Sequence, residues 1–162
     1  MKTINIASII AGPMFLLMVQ GAELPARGES CEASVQGLKD LIESKGGLVS
    51  GIKYEDLGGK SPFSNASAIL YVGLEHKPLQ RMGGSATPKQ DRVNQNLANS
   101  PSLLLPYATQ IINSCEKVVT VGINYHEWGP SFSLHSDRVV RTNKCAEPEM
   151  GREPPWGYKH CL

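Results

Sequence analysis

The chain has no surplus of charge of either sign. It holds 16 basic and 15 acidic residues. Lys2 is the only charged residue in the range 1–22, so the remainder of the chain has 15 of each sign and a net charge of zero. A neutral chain without basic clusters lacks the electrostatic attraction by which proteins bind nucleic acids and anionic lipids. The composition therefore argues against either as a partner.

The chain also lacks the short motifs that reveal common catalytic sites. It contains no Gly-Xaa-Ser-Xaa-Gly elbow, no phosphate-binding loop and no His-Glu-Xaa-Xaa-His pair. Gly58-Gly59-Lys60-Ser61 ends like a phosphate-binding loop, but Pro62 follows where a helix should begin, and we interpret it as a turn. Serines, histidines and acids are too numerous for a triad or a carboxylate pair to be picked out. We predict no catalytic residue and no cofactor.

Long apolar runs are missing except at the N-terminus. There, Ile4 to Val19 follows Lys2 and precedes the small residues Gly21 and Ala22. This pattern predicts a secretory signal peptide from Met1 to Ala22, with a retained N-terminal anchor as the alternative. The rest, residues 23–162, would then be a single exported domain in the periplasm or outside the cell. No later apolar run is long enough to span a membrane.

Four cysteines follow the predicted leader, at Cys31, Cys115, Cys145 and Cys161. An even number of cysteines in an exported chain predicts two disulfides. A zinc site is the alternative, but no two of these cysteines have the two- to four-residue spacing that is typical of zinc ligands. We therefore predict disulfides and no metal.

Apolar residues at helical spacing predict two helices that pack together. After Ser30 as N-cap, one stripe begins with Cys31, and after Ser100-Pro101 another ends with Cys115. The stripes consist of Cys31, Val35, Leu38 and Ile42 in the first helix and of Leu104, Ala108, Ile111 and Cys115 in the last. Antiparallel packing of these helices would bring the two cysteines together, so the Cys31–Cys115 pair is favoured.

Between these helices, Thr87-Pro88 predicts the start of a shorter helix that runs to Ala98, because Gln90 can close a capping box with Thr87. Alternating or β-branched segments predict the strands. These are Leu48 to Tyr54, Ala66 to Leu74, Lys117 to His126, Ser131 to His135 and Arg138 to Asn143. The last three form a meander if Ser136-Asp137 turns the chain. A single long hairpin centred near Gly129 is the alternative.

The C-terminal tail, from about residue 146, is too rich in proline and glycine for regular structure. A bridge between Cys145 and Cys161 would close a loop of roughly 15 residues and contribute about 3 kcal/mol in the chain-entropy model. It is the second favoured pair. The fold class that we predict is α+β, with two to three helices packed on a small antiparallel sheet and stapled by disulfides.

From Ser100 onward the residues resemble small exported proteins of cyanobacteria whose function is uncharacterised. The resemblance rests on Ser100-Pro101, Leu103-Leu104, Tyr107-Ala108, Gln110-Ile111-Ile112, Ser114-Cys115, Trp128, Cys145, Pro155-Trp156-Gly157-Tyr158 and Cys161. It implies a bacterial, extracytoplasmic protein and brings no known active site.

The histidines are predicted to be separate surface residues. His126 and His135 flank the second strand of the meander, which would place them roughly 25 Å apart at ~3.3 Å per residue. A metal site needs three or more converging ligands, and only the single-hairpin arrangement would let these two meet. His76 and His160 are isolated in sequence.

Four aromatic residues are the candidate ligand-binding residues, namely Tyr125, Trp128, Trp156 and Tyr158, which lie in turn or loop contexts. Exposed rings offer a large, rigid area for stacking on sugars or anchoring a protein. The alternative is that Trp156 and Tyr158 fold back over the sheet and complete the core. If Trp128 and Trp156 are exposed on a common face, ligand binding is favoured.

The sequence favours a non-enzymatic exported interaction module that contacts an envelope polysaccharide or another protein. One alternative is a saccharide or small-ligand binding protein that uses the exposed aromatic residues. The other is a secreted hydrolase whose site is not recognisable in the sequence.

Overall fold

The computed structural model describes residues 30–58, 60–77, 83–126, 128–146 and 154–160. The predicted signal peptide and Cys161 lie outside these residues. The described part contains three helices and seven strands. In chain order they are α1 (Cys31–Ser44), β1 (Val49–Asp56), β2 (Ala68–Leu74), α2 (Pro88–Ala98), α3 (Pro101–Ser114), β3 (Val118–Tyr125), β4 (Ser131–Leu134), β5 (Val140–Thr142), β6 (Lys144–Ala146) and β7 (Tyr158–His160).

The predicted helix starts are confirmed. The Ser30 hydroxyl accepts a hydrogen bond from the Ala33 backbone N–H at 3.2 Å, which caps α1. Thr87 and Gln90 form the reciprocal capping box at the start of α2, with Pro88 in the first turn. No helix of the described residues has both the length and the apolar character needed to cross a membrane.

A disulfide joins the first helix to the last, as the spacing of their apolar stripes predicted. Cys31 and Cys115 are bonded, with their Cα atoms 4.6 Å apart. Close by, the Ser114 hydroxyl donates to the Ser34 hydroxyl at 2.8 Å, so the end of α3 meets the start of α1. Cys145 is not a free thiol. Its predicted partner lies outside the described residues, so the Cys145–Cys161 pair stays a prediction.

The main sheet has five strands in the order β1-β2-β3-β4-β5. Strands β3, β4 and β5 pair antiparallel in the predicted meander, and the single-hairpin alternative is wrong. The α+β class is confirmed, but the sheet is not wholly antiparallel, since β2 and β3 run parallel. The reason is that α2 and α3 return the chain to the end of the sheet where β2 began, as a crossover connection does.

The two faces of the sheet differ in chemistry. Leu70, Val121 and Phe132 are paired across β2, β3 and β4 and are completely buried against the helices. The alternate residues, such as Tyr71, Gly122 and Ser131, therefore lie on the opposite face. Thus the helices cover one apolar face. The other face, which we call the open face, carries small and polar residues together with the ring of Tyr71.

The C-terminal segment contains regular structure that the sequence did not predict. Strand β7 pairs in parallel with β6, and the Lys144 N–H donates to the Gly157 carbonyl at 3.0 Å. Gly157 has a φ of 83°, which glycine adopts without strain. Each of these strands spans only three residues, which lie before and after the segment that is rich in proline and glycine.

Candidate functional site

A groove crosses the open face of the sheet. Its central part has a volume of about 590 Å³ and lies between strands β2 to β4 and the C-terminal segment. The side chains and backbone that line it include Tyr71, Thr120, Gly122, Asn124, Trp128, Ser131, Asn143, Tyr158 and Lys159. The groove is within the volume range of small-molecule sites, where apolar rings and a few polar groups converge.

The floor of the groove is formed by the ring of Tyr71, which packs on Gly122. A Cβ atom added to Gly122 would lie 2.7 Å from the Cδ1 of Tyr71, so the absence of a side chain lets this ring rest on strand β3. Burial, followed by the charge of Glu55, raises the pKa of Tyr71 above its ordinary value. The phenol is therefore neutral at physiological pH and can both donate and accept a hydrogen bond.

Two partly exposed aromatic rings line the groove, one in the β3–β4 turn and one at the start of β7. Trp128 is 37 % exposed and Tyr158 is 41 % exposed. The β3–β4 turn holds Trp128, because its backbone exchanges two hydrogen bonds with Tyr125 and the two rings meet edge to face at 5.3 Å. Gly129 completes this turn, and a Cβ there would lie 1.8 Å from the Ile123 carbonyl oxygen. The indole is thus positioned by backbone geometry.

Polar groups are placed among these rings. The Asn143 amide donates to the Ser131 hydroxyl at 3.0 Å, and its Oδ1 is buried with no hydrogen-bond partner among the described residues. Lys159 donates from its ammonium to the Gly129 carbonyl, and burial lowers the pKa of this lysine. Asn124 is exposed in the same groove. Asn124, Ser131 and Lys159 thus offer amide, hydroxyl and ammonium groups to a polar ligand, whereas the buried Asn143 Oδ1 is out of its reach.

The groove continues at both ends. A hollow of about 460 Å³ extends over β1 and shares Tyr71 and Asn124 with the central part. A second hollow of about 250 Å³ shares Trp128 and Lys159 with it and reaches the start of α3. The central groove and the hollow over β1 lie side by side on the open face, and the second hollow lies between the β3–β4 turn and the start of α3; we call the three together the trough.

The structure separates the four predicted aromatic residues into two pairs. Trp128 and Tyr158 share the groove. Tyr125 is buried on the helix-covered face, 5 % exposed. Trp156 is half-buried; its indole N–H donates to the Leu134 carbonyl at 2.8 Å, and its ring meets Phe63 edge to face at 6.2 Å. Hence Trp156 packs between the β1–β2 connection and the end of β4 and is not exposed together with Trp128, whereas Trp128 and Tyr158 are available to a ligand.

A second polar cluster lies where the parallel strands β2 and β3 end and α2 begins. The Tyr125 hydroxyl donates to the Asp91 carboxylate at 2.7 Å, and the Lys77 backbone N–H donates to it at 3.0 Å. The His76 and His126 rings stack with their centroids 4.0 Å apart. Interpreting these histidines as separate surface residues missed this contact, because they follow different strands and lie far apart in sequence.

The charges of this cluster indicate a structural role. Burial raises the pKa of Asp91, but the hydrogen bonds from Tyr125 and Lys77 and the nearby charges of Lys77 and His126 outweigh it, so the net shift is downward. Burial, the hydrogen bond to Asp91 and its negative charge raise the pKa of Tyr125 to about 12. The tyrosine is thus a permanent donor. Nowhere in the described ranges do three or more His, Cys, Asp or Glu residues gather to hold a metal ion.

Comparison with known proteins adds no relative, since no family model, no curated protein and no solved structure matches the chain.

Proposed function

We propose that the protein is an exported, non-enzymatic binding module that holds a polysaccharide chain of the cell envelope in the groove of the open face. The observation that carries this proposal is the common location of three tyrosine and tryptophan rings. Tyr71 forms the floor, and Trp128 and Tyr158 are partly exposed above it, within one groove of about 590 Å³.

The chemistry of the groove fits a saccharide. Sugar rings present C–H groups on one face, which pack on the electron-rich faces of aromatic rings, and hydroxyl groups at the edge, which need hydrogen bonds. Asn124 and Ser131 supply an amide and a hydroxyl partner beside the rings. The two adjoining hollows lengthen the groove across the sheet, so that consecutive sugar units of one chain can occupy it.

Binding is favoured over hydrolysis by the composition of the groove. Glycoside hydrolysis uses two carboxylates, one on each side of the scissile bond. Among the described residues that line the central groove there is neither a carboxylate nor a histidine, and Lys159 carries the only charge. The groups present can stack and donate hydrogen bonds, but they do not form an acid–base pair.

An extracytoplasmic location is part of the proposal. The Cys31–Cys115 disulfide is the kind of bond that persists in oxidising compartments. The signal-peptide pattern from Met1 to Ala22 and the resemblance to exported cyanobacterial proteins support the same location. Envelope polysaccharides are the abundant saccharide chains of that compartment in bacteria.

Co-sedimentation with insoluble envelope polysaccharide, followed by calorimetric titration with its soluble fragments, tests the proposal. Trp128→Ala should weaken binding about fivefold or more, because a stacked ring contributes on the order of 1 kcal/mol. Leu103→Ala is the matched control, because Leu103 is an apolar residue of similar exposure, 38 %, that lies outside the groove. Equal binding by Trp128→Ala and wild type would overturn the proposal, and so would release of reducing sugar from the polysaccharide.

A further inference from the structure

Strand β1 is an exposed edge of the main sheet. It is eight residues long, it pairs with β2 on one side, and within the described residues no strand pairs with its other side. All its residues after Val49 are exposed, including Ile52 at 39 % and Tyr54 at 54 %. A long edge strand with exposed apolar residues is a template for pairing with another strand.

The direction of the unpaired backbone groups follows from the β1–β2 ladder. The Leu57 N–H donates to the Ser67 carbonyl at 2.6 Å, in register with the pairs Glu55↔Ile69 and Lys53↔Tyr71. Residues of odd number in this stretch therefore bond to β2, and those of even number point their N–H and C=O groups away from it. These outward groups belong to Ile52, Tyr54 and Asp56.

A second copy of this chain can pair with those groups in only one register that also matches the charges. Two identical strands related by a two-fold axis run antiparallel. If Tyr54 faces Tyr54 of the second copy, Ile52 faces Asp56, and Lys53 of each copy faces Glu55 of the other. The neighbouring registers that use the same backbone groups place Lys53 opposite Lys53, Glu55 opposite Glu55, or Lys53 opposite the uncharged Gly51.

We propose that β1 is the interface of a symmetric dimer, in which two copies pair edge to edge around Tyr54 and form a continuous ten-stranded sheet. We choose a second copy as the partner because the charges of β1 complement those of an identical antiparallel strand. The Lys53 and Glu55 side chains lie on the same face of the strand, with Nζ and Oε2 3.7 Å apart. In the dimer they become two reciprocal cross-strand ion pairs. The interface rests on one strand, so the dimer is in exchange with monomer rather than permanent.

The dimer would join two troughs. The hollow over β1 is lined by Lys53 and Glu55 and adjoins the central groove, with which it shares Tyr71 and Asn124. Edge-to-edge pairing places this end of each trough against the same end of the other, on one face of the extended sheet. One saccharide chain could then contact both copies, which raises the effective affinity without new contacts within either groove.

Sedimentation equilibrium over a wide concentration range, without ligand, tests the dimer independently of the proposed function. Wild type should show a monomer–dimer equilibrium. Lys53→Glu and Glu55→Lys should each weaken self-association about tenfold or more, because both reciprocal pairs become like-charged. An equimolar mixture of the two variants should recover the dimer, because the doubly acidic strand of one variant complements the doubly basic strand of the other.

Two further variants separate the interface from the fold. Ile52→Pro removes an outward N–H, so it should abolish the dimer while the β1–β2 ladder and the melting temperature are retained. Lys89→Glu makes the same charge change at an exposed position of α2 and should leave dimerisation unchanged. Monomer at every concentration, unchanged dimerisation of Lys53→Glu, or a mixture that stays monomeric would each overturn the proposal.

Discussion

The Asn94 side chain connects α2 to β1 and β2 by hydrogen bonds, and its removal should destabilise the protein strongly. It is completely buried and makes three hydrogen bonds to backbone groups. Its amide donates to the carbonyls of Leu48 at 2.8 Å and Glu75 at 2.7 Å, and its Oδ1 accepts from the Leu48 N–H at 3.1 Å. These bonds connect the helix to the start of β1 and the end of β2.

Asn94→Ala would remove all three hydrogen bonds and leave the Leu48 N–H and the Glu75 carbonyl without the partner that Asn94 provides, whereas the Leu48 carbonyl keeps its bond from the Glu75 N–H at 2.8 Å. Each hydrogen bond contributes about 1 kcal/mol net, and each buried group left unpaired costs about 1–3 kcal/mol. Alanine regains up to about 0.7 kcal/mol of helix propensity. The expected loss in the free energy of unfolding is therefore about 3 kcal/mol, a large share of the roughly 5–15 kcal/mol that holds a domain together.

Urea denaturation followed by circular dichroism measures this loss. Asn96→Ala is the matched control, since Asn96 is exposed on the same helix and its replacement makes the same change in propensity. The control should retain the wild-type stability or exceed it slightly. A loss below about 1 kcal/mol for Asn94→Ala relative to this control would show that the three bonds do not anchor the helix.

Three further changes test other parts of the structure. Replacing Cys31 and Cys115 by alanine should lower the unfolding free energy by about 4–5 kcal/mol, because the bridge joins residues with a sequence separation of 84; urea denaturation that shows no loss would contradict this. Tyr125→Phe should cost about 1 kcal/mol at pH 7. The folded pKa of Asp91 lies below its unfolded value of about 3.9, so the bond from Tyr125 is to a charged carboxylate at pH 7 and loses strength as Asp91 is protonated. Urea denaturation at falling pH should therefore show a shrinking difference in unfolding free energy between Tyr125→Phe and wild type. A difference that does not change with pH would argue against the charged bond. Gly122→Ala should displace the tyrosine ring of the groove floor, reduce stability by about 1–3 kcal/mol and weaken saccharide binding; unchanged thermal stability and calorimetric affinity would refute that packing.

The helices were predictable because their signals are local. Ser30 and the Thr87–Gln90 box cap their helices in sequence order, and the apolar stripes give the buried faces directly. The Cys31–Cys115 disulfide was predicted on the hypothesis that the two helices pack antiparallel, since the cysteines lie at opposite ends of their stripes, and the structure confirms it. For the helices the information lies within about one helix length, whereas the disulfide also depended on how two distant helices pack.

Strand pairing depends on residues that are far apart in sequence, and there the prediction was incomplete. Apolar character placed β2 in the interior, but nothing in its composition distinguishes a parallel neighbour from an antiparallel one. The crossover through α2 and α3 determines that choice. Strand β7 was missed because Gly157 and the nearby prolines dominate its local pattern, whereas its hydrogen bonds go to β6, on the other side of the proline-rich segment, in the Lys144↔Tyr158 register.

The groove was predicted only in part, for the same reason. Trp128 and Tyr158 were singled out because rings in turns and loops are conspicuous, and both line the groove; that they bind a ligand stays a prediction. Tyr71 was assigned to a buried strand, and its role as the groove floor depends on the missing side chain of Gly122 on another strand. The sequence did not predict that Tyr71 and Gly122 are paired, because this pairing depends on the register between β2 and β3.

The most direct test of the groove is a two-dimensional NMR titration of the indole N–H signals with soluble oligosaccharide fragments of bacterial envelope polysaccharide. The protein has two tryptophans, and only Trp128 lines the groove, whereas the Trp156 indole is bonded to the Leu134 carbonyl. The Trp128 signal should shift in a saturable manner while the Trp156 signal stays in place. Shifts confined to Trp156 and the helices, or no shift at any concentration, would contradict a saccharide site on the open face.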